Sequence, residues 1–147
     1  MPKKTSEDHQ ANTRLGNLAE ALVRTFLIEY CDFVYPTQDK HPADLLCELG
    51  PAKYTVQVKS RNKTPENKFV FATENSRNQS KVYQQYHCDI MAFVFMPNKR
   101  ILFQANNSSQ TYYTFEESII KKNLELDSFT EALSILSEVP IIRPIFK

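Results

Sequence analysis

Glu20, Asp44, Gln57 and Lys59 are the residues of this sequence whose types and spacing suit joint chemistry. Asp44 and Glu20 offer hard anionic oxygens, Gln57 offers a neutral amide oxygen, and the Val58 backbone carbonyl lies between Gln57 and Lys59. A hard divalent cation takes such a set: one or two carboxylates, carbonyl oxygens and water. Mg²⁺ is the expected ion, with Mn²⁺ as a substitute. Lys59 stands two residues beyond Gln57, where it could orient or deprotonate water or neutralise charge developing on a reacting oxygen. A general-base role requires its pKa to fall. Glu20 is expected to bind a second cation or to hold water at the first.

The spacing explains how these groups meet. In the stretch HPADLLCELGPAKYTVQVKS, residues 41 to 60, one strand is predicted over Asp44–Leu49 and another over Lys53–Ser60, joined by a turn at Gly50-Pro51. A hairpin brings the start of its first strand beside the end of its second. Tyr54, Val56 and Val58 alternate with Lys53, Thr55, Gln57 and Lys59, so Gln57 and Lys59 share the polar face. Glu20 arrives from a helix predicted over Asn12–Tyr30, capped by Asn12 or Thr13, with Leu15, Leu18, Ala19, Leu22 and Phe26 on its inner face. Gly16 stands in the first turns of that helix and is one of only two glycines in the chain. A mid-helix Gly costs up to about 1 kcal/mol against Ala, so close approach of another backbone or of a ligand is expected there.

These residues, in this order, resemble the PD-(D/E)xK nuclease superfamily: Pro42-Ala43-Asp44, then Gln57-Val58-Lys59, with a Glu on the upstream helix. The proline is one residue further from the aspartate than in a strict Pro-Asp. Gln57 stands where Asp or Glu is commonest, a variant known in the superfamily. The sequence looks most like the bacterial group I intron homing endonucleases of that class. The resemblance takes in Gly16 to Glu20, Asp44, the Gln57-Val58-Lys59 triplet and Tyr86 to Asp89-Ile90, roughly residues 12 to 105. It implies a restriction-endonuclease-like core and metal-dependent, site-specific hydrolysis of double-stranded DNA. The implied catalytic residues are Glu20, Asp44, Gln57 and Lys59, with Asp44, Gln57, Val58 and Glu20 at the metal. It also implies a homo-oligomer, dimer or tetramer. Two other readings stand beside it. One is a junction-resolving, repair or restriction-type nuclease of the same superfamily. The other is a non-catalytic nucleic-acid-binding protein on this fold, against which the joint presence of Asp44 and Lys59 counts.

The rest of the chain supplies the frame. Strands are predicted at Asp32–Tyr35, Phe69–Ala72, Asp89–Met96 and Arg100–Ala105, the last two joined by a turn at Pro97-Asn98-Lys99. Glu74–Gln85 reads as a loop or a short helix, Phe115–Leu124 as helical, and a second helix starts at a capping box of Ser128 and Glu131 and runs to about Glu138. Residues 1–11, polar and aperiodic, are expected to fray. The result is an α/β (α+β) domain with a central mixed β-sheet flanked by helices, a single domain over 147 residues. Residues 106–147 form a C-terminal extension, and Ile141, Ile142, Ile145 and Phe146 make it a candidate oligomer interface.

Net charge is only +1, but residues 51 to 100 hold nine bases against three acids. A basic face suits a polyanion. Arg61, Lys63, Lys68, Arg77 and Lys81 are the candidates for DNA phosphates, and Asn75, Arg77, Asn78 and Gln79 for base edges. Three cysteines in no zinc pattern fit free, mostly buried thiols. No apolar run is long enough to span a bilayer and no leader is evident, so a cytoplasmic protein without a membrane partner is expected.

Overall fold

The computed structural model describes residues 6–38, 41, 43–62, 66–72, 74–75, 78–82, 88–107 and 112–137. The elements run α1 (Ser6–Tyr30), β1 (Phe33–Pro36), β2 (Leu45–Leu49), β3 (Ala52–Arg61), β4 (Lys68–Ala72), β5 (Glu74–Asn75), β6 (Asn78–Val82), β7 (Ile90–Phe95), β8 (Arg100–Ala105), β9 (Tyr112–Glu116), a 3₁₀ turn (Glu117–Ile119) and α2 (Leu124–Leu136). Five strands form the main sheet in the order β1-β2-β3-β7-β8. Only β3 and β7 run parallel, so the sheet is mixed, as expected.

Alternation along β3 sorts the core into two layers. Tyr54, Val56 and Val58 face the helices, where Ala19, Val23 and Leu27 of α1 and Phe129 and Leu133 of α2 pack against Leu45, Ile90, Ala92 and Val94. Phe26 joins the two helices, edge-on to Phe129 at 5.7 Å and tilted on Phe103 at 5.0 Å. The buried stripe of α1 is rotated from the predicted one: Leu18 is 40% exposed, while Val23 and Leu27 are fully buried. The opposite face is covered by the ribbon of β4 and β9, whose Phe69, Phe71 and Tyr113 interlock with Phe93 and Phe95 of β7 at ring separations of 4.6 to 5.9 Å. Each such aromatic pair adds about 0.5–1.5 kcal/mol to the area it buries.

At the β8 edge, α2 does more than cover apolar surface. Glu125 accepts the Ile101 N–H at 2.8 Å and Ser128 Oγ accepts the Phe103 N–H at 2.9 Å, so outward strand donors are satisfied by side chains one helical turn apart. Ser128 is therefore an interior helix residue, its hydroxyl shared with the Glu125 carbonyl at 3.2 Å, and the predicted capping box does not form. The helix starts instead after Asn123, which takes the N-cap position without a side-chain bond, five residues earlier than predicted. Phe115, expected in a helix, lies in β9 opposite Phe69. The tertiary aromatic layer overrides its local helical pattern. Glu74–Asn75 pairs with Asn78–Val82 as β5–β6 rather than forming a loop or helix, and residues 83–85 of that stretch lie outside the described residues. Residues 6–11 continue α1 instead of fraying. Residues 112–137 thus belong to both layers of the core, and 138–147, with the suggested interface, lie outside the described residues.

Candidate active site

Where β2 begins, its regular pairing with β3 ends at Leu45 opposite Val56. Asp44 lies one residue before that and holds β3 at two points. Its N–H donates to the Val56 carbonyl at 2.9 Å, and its carboxylate Oδ2 accepts the Val58 N–H at 2.8 Å. The two bonds bracket Gln57. A residue in an extended strand points its N–H and C=O the same way, so the Val58 carbonyl also faces the side where β2 stops. The loop before Asp44 is braced by its own residues: Thr37 N–H donates to the Asp44 carbonyl at 3.0 Å, and His41 Nδ1 accepts the Ala43 N–H at 3.0 Å.

Gln57 and Lys59 lie on the face opposite Tyr54, Val56 and Val58, as the alternation predicts. Their parallel neighbours on β7 are Met91 and Phe93, both buried. These apolar neighbours withdraw water from the pair. Gln57 is 7% exposed, and its Oε1 is buried with no hydrogen-bond partner among the described residues. Its Nε2 meets the Val58 carbonyl at 3.5 Å, a long contact. Burial pushes the Lys59 ammonium below the ordinary lysine range. The Asp44 charge draws it back up and Arg61 adds to the fall. Burial likewise raises the Asp44 carboxyl, against the opposing pull of the Val58 N–H and of Lys59. Glu20, beside buried Ala19 on α1, is raised first by burial and then by the Asp44 charge, with Arg24 opposing. The Asp44 charge thus acts on both Glu20 and Lys59, and Gln57, with its orphaned amide oxygen, lies on β3 between the two bonds that Asp44 makes to that strand.

Among the described residues no three His, Cys, Asp or Glu side chains converge as a metal cluster. A cation at this edge would therefore rest on the two carboxylates, the Gln57 amide oxygen and the Val58 carbonyl. The set fits a hard ion. Every donor is oxygen, Gln57 Oε1 has no other partner, and a cation would relieve the mutual repulsion of Glu20 and Asp44.

The residues around the site divide sharply. Asp89, read as a strand-start residue, is one: it joins β7 to β3 by accepting the Thr55 N–H at 2.8 Å and donating its own N–H to the Thr55 carbonyl at 3.0 Å. Nothing in the sequence marks Asn106. It is 2% exposed and donates from Nδ2 to the Cys88 carbonyl at 3.1 Å and to Cys88 Sγ at 3.4 Å. Burial pushes the Cys88 thiol up to about 12. An Asn at the end of an apolar strand carries no pattern that marks it beforehand. The cysteines are free thiols, with Cys47 and Cys88 buried.

Of the proposed DNA-contacting residues, Arg61 is exposed at the end of β3 and ties Nε to the Val70 carbonyl at 3.3 Å, and Lys68 opens β4 half-buried. Asn75, Asn78, Gln79 and Lys81 lie on the β5–β6 hairpin. Lys63 and Arg77 lie outside the described residues. Two bases counted toward the basic face are committed to acids from elsewhere in the chain. Lys53 meets Glu48 at 3.4 Å, and Arg100 meets Glu125 at 2.7 Å while also donating to the Lys121 carbonyl. No backbone of this chain approaches Gly16. It is exposed, and a Cβ built there would meet nothing within 4 Å.

The fold is similar to that of a bacterial homing endonuclease, I-Ssp6803I, with a TM-score of 0.62 over 92% of this chain and 94% of that one, at 15% sequence identity. No protein-family model matches the sequence, and no curated protein does. Among the described residues no helix is long and apolar enough to cross a membrane.

Proposed function

We propose that the chain is a Mg²⁺-dependent endonuclease that hydrolyses phosphodiester bonds of double-stranded DNA at a specific site, with Mn²⁺ able to replace Mg²⁺. The observation that carries the reading is the buried, unpartnered Gln57 Oε1 beside an Asp44 carboxylate clasped to Val58, with Lys59 two residues on. The fold's likeness to a homing endonuclease supports it.

Asp44, Gln57 and the Val58 carbonyl would hold the cation, with Glu20 completing the set from α1. When bound, the ion would supply Lewis-acid polarisation of the phosphoryl oxygen and acidify water. The residues themselves divide the remaining work. Asp44, fixed by its bond to Val58, sets the position of the donors. Gln57 adds an oxygen without a third negative charge, which keeps the site able to accept a phosphate. Lys59, its ammonium already destabilised by burial, either accepts a proton from the attacking water or stabilises the charge that develops on the phosphoryl oxygens. Glu20 orients water on the helix side.

A single centre cuts one strand, so a homo-oligomer, dimer or tetramer, would deliver the second cut and read a longer site. Incubating the protein with randomised duplex DNA and Mg²⁺, then sequencing the ends, tests the reading. One recurrent cut sequence is expected, and intact DNA in both Mg²⁺ and Mn²⁺ would overturn it.

A further inference from the structure

Cys31 and Cys47 belong to different elements and meet where α1 ends. Cys31 follows the last residue of α1 and donates its N–H to the Leu27 carbonyl at 2.7 Å. Asp32 donates its N–H to the Glu48 carbonyl at 2.9 Å, and its carboxylate accepts the Gly50 N–H at 2.7 Å. The residue after one cysteine is thus bonded to the residue after the other. Strand register sets Cys47 opposite Val34. Cys47 belongs to the helix-side core, and Val34 and Cys31 pack against that same core. There the two thiols are hydrogen-bonded to each other.

The members of the pair differ in access. Cys31 is half-buried and within reach of a dissolved reagent, whereas Cys47 is fully buried. The bond to Cys31, and then burial, hold the Cys47 thiol protonated, so Cys47 is not the first to react. The third cysteine has other company. Cys88 is buried, and its sulfur meets the Met91 thioether at 3.5 Å and the Asn106 amide at 3.4 Å. An accessible thiol backed by a buried one is the arrangement that thiol–disulfide exchange needs: one sulfur to take the oxidant and a second in place to release it.

We propose that Cys31 and Cys47 are a redox pair, which a small disulfide such as oxidised glutathione closes into an intramolecular bridge between the end of α1 and β2. Cys31 loses its proton and attacks one sulfur of the oxidant. A Cys31–glutathione bond forms, the oxidant's S–S bond breaks, and one glutathione leaves as its thiolate. Capping Cys31 removes the hydrogen bond that held the Cys47 proton. Cys47 then loses that proton and attacks Cys31 Sγ, and the second glutathione leaves as its thiolate. The two released protons go to the two leaving thiolates, so both cysteine thiols are oxidised and one glutathione disulfide is reduced. The bridge closes residues 32–46, which hold β1, the loop braced by Thr37 and His41, and Asp44. One end is fixed to the helix that carries Glu20 and the other to the strand that follows Asp44. Closing such a loop takes freedom from the unfolded chain and so stabilises the fold. The bridge is independent of the reaction that the candidate site performs.

The test incubates the reduced full chain with oxidised glutathione at mildly alkaline pH. Remaining thiols are then blocked with N-ethylmaleimide in denaturant, and the unreduced peptides are mapped by mass spectrometry. The expected product joins the Cys31 peptide to the Cys47 peptide and leaves Cys88 blocked. The bridged chain should melt about 5–10 °C above the reduced one, a shift that dithiothreitol reverses. Cys31→Ser should form no bridge and show no such shift. Cys47→Ala should stop with one glutathione on Cys31. Wild type with all three cysteines blocked, or with glutathione left on Cys31, overturns the inference. So does a bridge that uses Cys88 or joins two copies of the chain, and so does a bridged chain that melts no higher than the reduced one. The wild-type map decides by itself if a variant fails to fold.

Discussion

Single side chains at the β2–β3 junction are held in states that cost the fold something. Asp44 has a folded pKa above its ordinary 3.8, mainly through burial. The stabilising contribution of such a group is present below the unfolded pKa and lost as pH rises through the folded one. At pH 7 the ionised carboxylate is therefore a burden on the metal-free protein. Asp44→Asn keeps an acceptor for the Val58 N–H and should raise the metal-free melting temperature at pH 7. Mg²⁺ should then stabilise the wild type and not this variant. Calorimetry with and without the ion checks both, and equal ion responses would remove Asp44 from the cation site. Gln57→Glu should tighten divalent binding at similar length while keeping some cleavage, measured by titration and by turnover. A tighter-binding variant without any cleavage would give the neutral amide a role in the reaction itself. The shared face of Gln57 and Lys59 was legible in the sequence because strand alternation has a period of two. The clasp of Asp44 onto Val58, the burial of Gln57 beside Met91 and the bond of Asn106 to Cys88 were not, since each depends on a partner distant in sequence.

Among the elements, the best-determined joint is that of α2 with the edge strand β8. Arg100 reaches Glu125 with Nε at 2.7 Å and Nη2 at 2.8 Å, and the same carboxylate takes the Ile101 N–H. Burial raises the Glu125 pKa, but the Arg100 bond and the Ile101 N–H outweigh it and the net shift is downward from 4.5. The stability held in this joint is therefore present above the unfolded pKa and lost as pH falls through the folded value, below about 4.5. Glu125→Ala should destabilise at pH 7 by about 1–3 kcal/mol, the cost of stranding a strand donor and a guanidinium. The gap between the variant and wild type should close in acid. Denaturant melts over a pH series from 7 into acid measure it, and a gap that does not narrow as pH falls would contradict the assignment. The joint also explains why Ser128 misled: its hydroxyl answers a strand rather than a helix end. β7 and β8 were legible because they are apolar runs ended by a Pro-Asn-Lys turn. β9 was not, because Phe115 and Tyr113 owe their strand state to the aromatic layer beneath them.

For the molecule as a whole, the basic middle of the chain is weaker than its composition suggests, since Lys53 and Arg100 are paired with Glu48 and Glu125. What remains for a polyanion starts at Arg61, exposed at the end of the strand that carries Gln57 and Lys59. Duplex affinity should fall with salt at a log–log slope of about −0.9 per phosphate contacted. Arg61→Ala should lower that slope by roughly one unit, whereas Lys53→Ala should leave it unchanged. Equal slopes for wild type and Arg61→Ala, in binding titrations over a salt series, would place the polyanion elsewhere. In the function proposed above, Asp44 and Lys59 serve the hydrolysis of DNA rather than its binding alone. The most direct test is cleavage of duplex DNA in Mg²⁺ by wild type, Asp44→Ala and Lys59→Ala, beside their metal-free duplex affinity. The prediction is that wild type cuts, that both variants lose cleavage by at least about 10²-fold, as expected when an acid–base or charge-stabilising group is removed, and that both still bind. Either variant cutting at the wild-type rate would contradict it.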